Sequence, residues 1–181
     1  MERTLVKTGN FEQLYGGGAG KLVDIVAKDR TYISLATARE VVEGHKKAFP
    51  GFHAWADGRR KVHKALGYAA TYLGRRRYIP ELRSRDPERQ SYGARAGLNH
   101  EIQGTAADIV KIAMRLVVPV LKGYNAHMCA QVHDELCGWL PETEDTEAFK
   151  RDMSEVMTSI ELPGIKLGVD GGTGRSWAEA H

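Results

Sequence analysis

The sequence predicts an α+β fold, and three observations predict it. Apolar residues recur at helical spacing over residues 35–66, 103–121 and 144–160. Two segments, 67–80 and 126–140, carry strand-like runs around turn residues, as β-hairpins do. The 181 residues suffice for one domain with a real core, and the 42% hydrophobic content is that of an ordinary globular chain.

Composition excludes several classes. No run of about 18 apolar residues exists, so no membrane-spanning helix is expected. Residues 1–7 lack the apolar centre of a secretion signal, so no secretion is expected. Cys129 and Cys137 have no metal-ligand spacing and read as reduced core thiols. Charge is unevenly spread. Residues 1–100 hold 19 Lys+Arg against 10 Asp+Glu, a net of +9, whereas residues 101–181 hold 7 against 13, a net of −6. Together these give the overall +3. A basic half suits a polyanion, and an acidic half suits a cation or water.

The elements follow in order. Residues 2–15 read as a helix in which Arg3, Lys7, Phe11 and Tyr15 recur every fourth position. Each step of four advances about 40°, so the four share a face about 120° wide. Two cations followed by two aromatics suit a ligand with phosphates at one end and a flat ring at the other. They equally suit a half-buried amphipathic helix with snorkelling cations. Gly16, Gly17, Gly18 and Gly20 then predict a flexible turn. Gly20-Lys21 does not complete a phosphate-binding P-loop, because Tyr15 stands where its first glycine belongs and Leu22 follows the lysine.

Ala36, Val41, Val42, His45, Ala48 and Phe49, then Trp55, Val62 and Leu66, predict a scaffold helix pair divided at Pro50-Gly51. The next hairpin carries Arg75, Arg76 and Arg77 near its tip, suited to phosphates or to a solvated turn. Residues 81–94 are polar and read as a surface loop. A buried helix follows over Gln103 to Leu121; if helical structure extends ahead of it, Arg95, Asn99 and Gln103 share one side. In the second hairpin, His133, Asp134 and Glu135 occupy the turn between apolar runs. Acids are depleted in strands, and burying one unpaired costs several kcal/mol. A divalent cation would compensate; a polar tip in water is the alternative. Residues 144–160 predict a helix, 165–169 a strand and 170–174 a loop. There is no internal repeat.

Several of these stretches together resemble one family. Arg3-x-x-x-Lys7-x-x-Asn10-Phe11-x-x-x-Tyr15-Gly16 resembles the fingers-helix motif of family A DNA polymerases, the bacterial DNA polymerase I type. Asn99-x-x-x-Gln103-Gly104-Thr105-Ala106-Ala107-Asp108-Ile109 resembles the helix before their third motif, and Gln131-Val132-His133-Asp134-Glu135-Leu136 is similar to that motif itself. Gly67-Tyr68, Thr71 and residues 74–80 look like the intervening segment, and residues 169–181 look like the family's C-terminus. The resemblance covers essentially the whole chain. It implies a partial polymerase hand: helical fingers over residues 1–66, and part of an antiparallel palm sheet within residues 67–181.

The resemblance also implies roles. Arg3 and Lys7 would hold the triphosphate of an incoming dNTP, with Lys7 neutralising or protonating the leaving group. Phe11 would lie by the sugar and base and disfavour dideoxynucleotides, and Tyr15 would close the pocket at the templating base. Arg95, Asn99 and Gln103 would contact primer–template DNA along the minor groove, and His133 would approach the primer end. Asp134 would ligate two magnesium ions, supported by Glu135. The implied reaction is nucleotidyl transfer to a primer 3′-OH inside a bacterial or phage-infected cell, with a non-catalytic DNA-binding remnant as the alternative.

The sequence departs from the family pattern in three places. Glu12-Gln13 follows the phenylalanine where glycine is usual. His100-Glu101 replaces a more apolar, often proline-containing pair. No Asp-Tyr-Ser-x-x-Glu-like first motif occurs in residues 1–181, so the second metal-binding carboxylate is expected from another chain or an upstream segment.

Overall fold

The computed structural model describes residues 17–28 and 32–180, which form two compact units divided at Thr105 and Ala106. The helix predicted over residues 2–15, with Arg3, Lys7, Phe11 and Tyr15, lies outside the described residues.

The first unit begins with α1 (Ala19–Lys28) and α2 (Leu35–Ala48). They pack through Leu22, Val26 and Ala38, joined by Ala19, Val23, Ile33 and Val41. Gly20 lies inside α1, which corrects the predicted flexible turn. One helical glycine costs only about 1 kcal/mol, and the buried stripe of Leu22 and Val26 outweighs it. The Ser34 hydroxyl caps α2 by accepting the Thr37 N–H at 3.0 Å.

α3 (Pro50–Leu66) starts at the predicted break. Proline suits a first helical turn, where its missing N–H has no partner to lose. α3 ends at Gly67, whose φ of 77° is the left-handed conformation that glycine adopts without strain. The helically spaced apolar residues that located α3 are not its buried face. Trp55, Val62 and Leu66 are at least a third exposed, whereas Ala56 and His63 are buried. A long-range polar partner, described below, brings the histidine inward.

β1 (Tyr68–Ala70) and β2 (Arg76–Tyr78) form the predicted antiparallel hairpin, with Tyr68 opposite Tyr78 and Ala70 opposite Arg76. Ala69, Ile79 and Leu82 are buried together beneath it.

The predicted loop over residues 81–94 is corrected. A 3-10 turn spans Pro80–Arg83, and α4 (Pro87–Leu116) begins soon after. The cause is local: Asp86 Oδ1 accepts the Glu88 N–H at 2.9 Å, and Pro87 enters with its φ already near the helical value. Polar composition alone concealed a well-capped helix start.

The second unit holds the end of α4, α5 (Val118–Gly123), β3 (His127–Val132), β4 (Glu135–Trp139), α6 (Thr146–Thr158) and α7 (Trp177–Ala180). The predicted continuous helix over 103–121 breaks at Val117. Pro119 has no N–H to give to the preceding turn, and its ring crowds a carbonyl there. The core gathers Val117, Leu121 and Ala126 with Met128, Leu136, Leu140, Phe149, Met153, Val156 and Met157. Asp145 caps α6, and the Tyr124 hydroxyl donates to Asp152 Oδ2 at 2.6 Å.

Two further expectations fail here. Residues 165–169 form no strand; an isolated bridge joins Leu162 to Ile165, and no neighbouring strand among the described residues continues the ladder. The cysteines are not core thiols. Cys129 is exposed where the β3–β4 register slips between Met128 and Ala130, Cys137 is half-buried, and both are free. No helix among the described residues is long and apolar enough to cross a membrane.

Candidate functional site

In the first unit the candidate surface lies along α4. Arg95, Asn99 and Gln103 share one side of the helix, as their spacing predicts. Arg95 is half-buried and its Nη1 donates to Ser91 Oγ at 2.7 Å, while Asn99 and Gln103 are exposed.

Two sets of long-range bonds hold this stretch. On one flank, Glu101 accepts the Nε–H of Arg59 at 2.8 and 3.0 Å on its two oxygens, and a further bond from Arg59 Nη2. His63 Nε2 lies 2.8 Å from Glu101 Oε1. Burial opposes the charged carboxylate, but the bonds from Arg59 and His63 outweigh it and hold its pKa below the ordinary value. On the other flank the β1–β2 tip closes on the helix. His100 Nε2 lies 3.2 Å from the Arg75 carbonyl, Arg75 Nη2 donates to the Gly104 carbonyl at 3.0 Å, and the Tyr72 N–H donates to Thr105 Oγ1 at 2.9 Å. A Cβ on Gly104 would lie 2.8 Å from Thr71 Cγ2, so glycine permits this approach.

In the second unit the site is the β3–β4 turn. Val132 pairs with Glu135, leaving His133-Asp134 as a two-residue connection. His133 has φ 54°, the left-handed conformation that tight hairpin turns require and side chains other than glycine rarely take. The Gln131 amide donates to the His133 carbonyl and steadies the turn. His133 and Asp134 are exposed, and Glu135 is half-buried. Met128 and Leu136, packed into the core on opposite strands, anchor the hairpin that displays them.

Asp134 thus offers water a hard oxygen donor of the kind magnesium takes. Among the described residues, no group of three His, Cys, Asp or Glu side chains could hold a metal ion. The donor chemistry of Asp134 fits the cation.

Arg95, Asn99 and Gln103 therefore come together on one helix, and His133 and Asp134 in one turn; Glu135, predicted in that turn, instead opens β4 by pairing with Val132. Arg3, Lys7, Phe11 and Tyr15 lie outside the described residues. Sequence reasoning missed the supporting residues Arg59 and His63, and it read Arg75 as suited to phosphates or a solvated turn, whereas its side chain bonds the Gly104 carbonyl. Arg59 meets Glu101 across 42 residues, and no local pattern marks such a pair. The one signal was His100-Glu101, a polar pair where the resemblance led one to expect apolar residues.

The sequence profile of DNA polymerase family A matches residues 1–179. The chain belongs to DNA polymerase family A. It is 38% identical over 178 residues to the thermostable DNA polymerase I of Thermus filiformis, covering 98% of this chain and 21% of that protein. It is 34% identical over 180 residues to DNA polymerase I of Bacillus subtilis, covering 98% of this chain and 20% of that protein. Among solved structures it is similar to the POL domain of Pol1 from M. smegmatis, in complex with DNA primer-template and dNTP. That match has a TM-score of 0.88 and 34% identity, over 98% of this chain and 31% of the other. This family A chain therefore spans about a fifth of the length of the curated relatives it matches. Its helices and two small antiparallel sheets form an α+β part of a polymerase hand.

Proposed function

We propose that the chain is the C-terminal portion of a DNA-directed DNA polymerase, acting in template-directed nucleotidyl transfer from a dNTP to a primer 3′-OH. One observation carries the reading: in a family A chain, the third-motif carboxylate of Asp134 stands exposed at a fixed hairpin turn.

In this reading residues 1–66 supply fingers and residues 67–181 supply palm. Arg3 and Lys7 bind the triphosphate, and Lys7 gives charge or a proton to the departing pyrophosphate. Phe11 and Tyr15 enclose the sugar and base. Arg95, Asn99 and Gln103 bind the primer–template near its terminus, and His133 approaches the primer end. Asp134 holds magnesium, with Glu135 in support. Two bound magnesium ions would supply charge neutralisation for the attacking and leaving oxygens.

In this reading the described residues do not complete that site. No first-motif Asp-Tyr-Ser-x-x-Glu-like run occurs among its 181 residues, and the described residues offer no triad of metal-binding side chains. Among the described residues β3 and β4 also pair only with each other, so each keeps an open edge. Both features support a requirement for a further polymerase segment bearing the first motif, either upstream or on another chain, as in a split phage enzyme. On this reading the isolated chain is inactive, and the complete enzyme works in the cytoplasm of a bacterial or phage-infected cell.

The test is complementation. The purified chain, a separate chain carrying the first motif and magnesium should together extend a primed template, and neither chain should do so alone. No extension by the mixture, or full extension by this chain alone, sinks the reading. The missing first motif also favours a second reading, a non-catalytic primer–template-binding module. Salt-dependent DNA binding without activity under any complementation would select it.

A further inference from the structure

Glu101 lies two residues from both Asn99 and Gln103, a rotation of roughly 200° about the helix axis. It therefore faces away from the side those two residues share, toward α3. Residues 93, 97, 98, 100 and 104 supply the buried positions of α4 in this unit, and three of the five are glycine. Glycines let helices approach closely but offer no side chain to interlock, and apolar contact has no direction of its own. Such a face leaves much of the rotation of α4 about its axis to directional bonds, and hydrogen bonds are directional.

The Glu101 cluster supplies them. Arg59 grips both carboxylate oxygens, and His63 reaches one of them. The His63 side chain is 1% exposed, and its Nδ1 is buried without a hydrogen-bond partner. A carboxylate oxygen only accepts, so the bond between them is donated by His63 Nε2–H. A Cβ on Gly97 would lie 2.6 Å from Nδ1, so the helix backbone itself closes this side of the ring. The β1–β2 tip holds the opposite flank through Arg75 and Tyr72. The Asn99–Gln103 side is left facing solvent.

We infer that Glu101 is a positioning residue: clasped by Arg59 and His63, it sets the rotation of α4 and so aims Asn99 and Gln103 at the primer–template without touching it. The inference rests on the polymerase reading of that surface. It also predicts a sign. Were Glu101 merely a nearby negative charge, removing that charge would tighten DNA binding by relieving repulsion. As a positioning residue, its removal loosens binding.

The experiment measures fluorescence anisotropy of a labelled primer–template with the full chain over a series of salt concentrations. Glu101→Gln should weaken binding roughly tenfold, the loss of one or two well-aimed hydrogen bonds. The slope of log affinity against log salt should not change, because phosphate contacts are untouched. Arg59→Gln should match it in both respects, and serves in its place if Glu101→Gln lacks the parent's helical circular dichroism. In the Asn99→Ala/Gln103→Ala protein, either substitution should have no further effect. Unchanged or tighter binding by Glu101→Gln overturns the inference, as does an undiminished loss in the doubly substituted protein. If the doubly substituted protein itself binds like the parent, the reading of this surface as a DNA contact fails, and the inference fails with it.

Discussion

The α4 surface and the β3–β4 turn present their candidate functional groups by opposite means. At the turn, display is local: a two-residue connection with His133 in the left-handed conformation exposes His133 and Asp134. Along α4, display is long-range: the Arg59–Glu101 and Arg75–Gly104 contacts span 42 and 29 residues. The first arrangement tolerates changes elsewhere in the chain. The second depends on partners far away in sequence, so its weak points lie where no motif marks them.

The comparison breaks most sharply at Asp134. In the complemented enzyme, Asp134→Ala should lower primer extension by about a thousandfold or more, in line with losing a metal-held charge stabiliser. DNA affinity and thermal midpoint should stay near the parent's, because the side chain is exposed and supports nothing else. A large fall in the midpoint would mean that the turn is structural.

Gly97→Ala tests the opposite arrangement. The added methyl meets the buried His63 ring, so overpacking should destabilise the chain by about 1–3 kcal/mol, read from urea unfolding. A neutral result would show that the clasp is loose. Gln103→Ala should weaken primer–template binding by about fivefold, the worth of one hydrogen bond, with no change in salt slope. A slope reduced by about one would assign Gln103 to the phosphates instead.

The smallest effect concerns acid. His45 is buried and lies 2.9 Å from His53, and burial, then repulsion from His53, lowers its pKa. Above its ordinary value of about 6.5 the ring is neutral in folded and unfolded chains alike. Below it the unfolded chain takes up the proton first, so stability should fall with pH until the folded ring also titrates. Urea midpoints measured from pH 7.5 to 5.5 should decline in the parent and decline less in His45→Phe.

Much of the fold was legible. Apolar periodicity located α2, α3 and α6, and turn chemistry located both hairpins. The errors share a cause. The start of α4 was hidden because its capping residues, Ser84, Asp86 and Pro87, sit in a polar stretch that also reads as loop. The strand predicted over residues 165–169 had suitable residues but no neighbour, and a strand exists only by pairing. Of the candidate site, the sequence proposed Asn99, Gln103, His133 and Asp134, and it left their supports unmarked.

The sequence by itself determined the family, the four-residue spacing of Arg95, Asn99 and Gln103, and a hairpin with Asp134 in its turn. These follow from short-range geometry, which a chain carries wherever it goes. Only the tertiary structure decided that Asp134 faces water while Glu135 is half-buried, and that Glu101 is clasped by Arg59 and His63. Burial and long-range hydrogen bonding depend on which distant segments meet, and no local pattern encodes that.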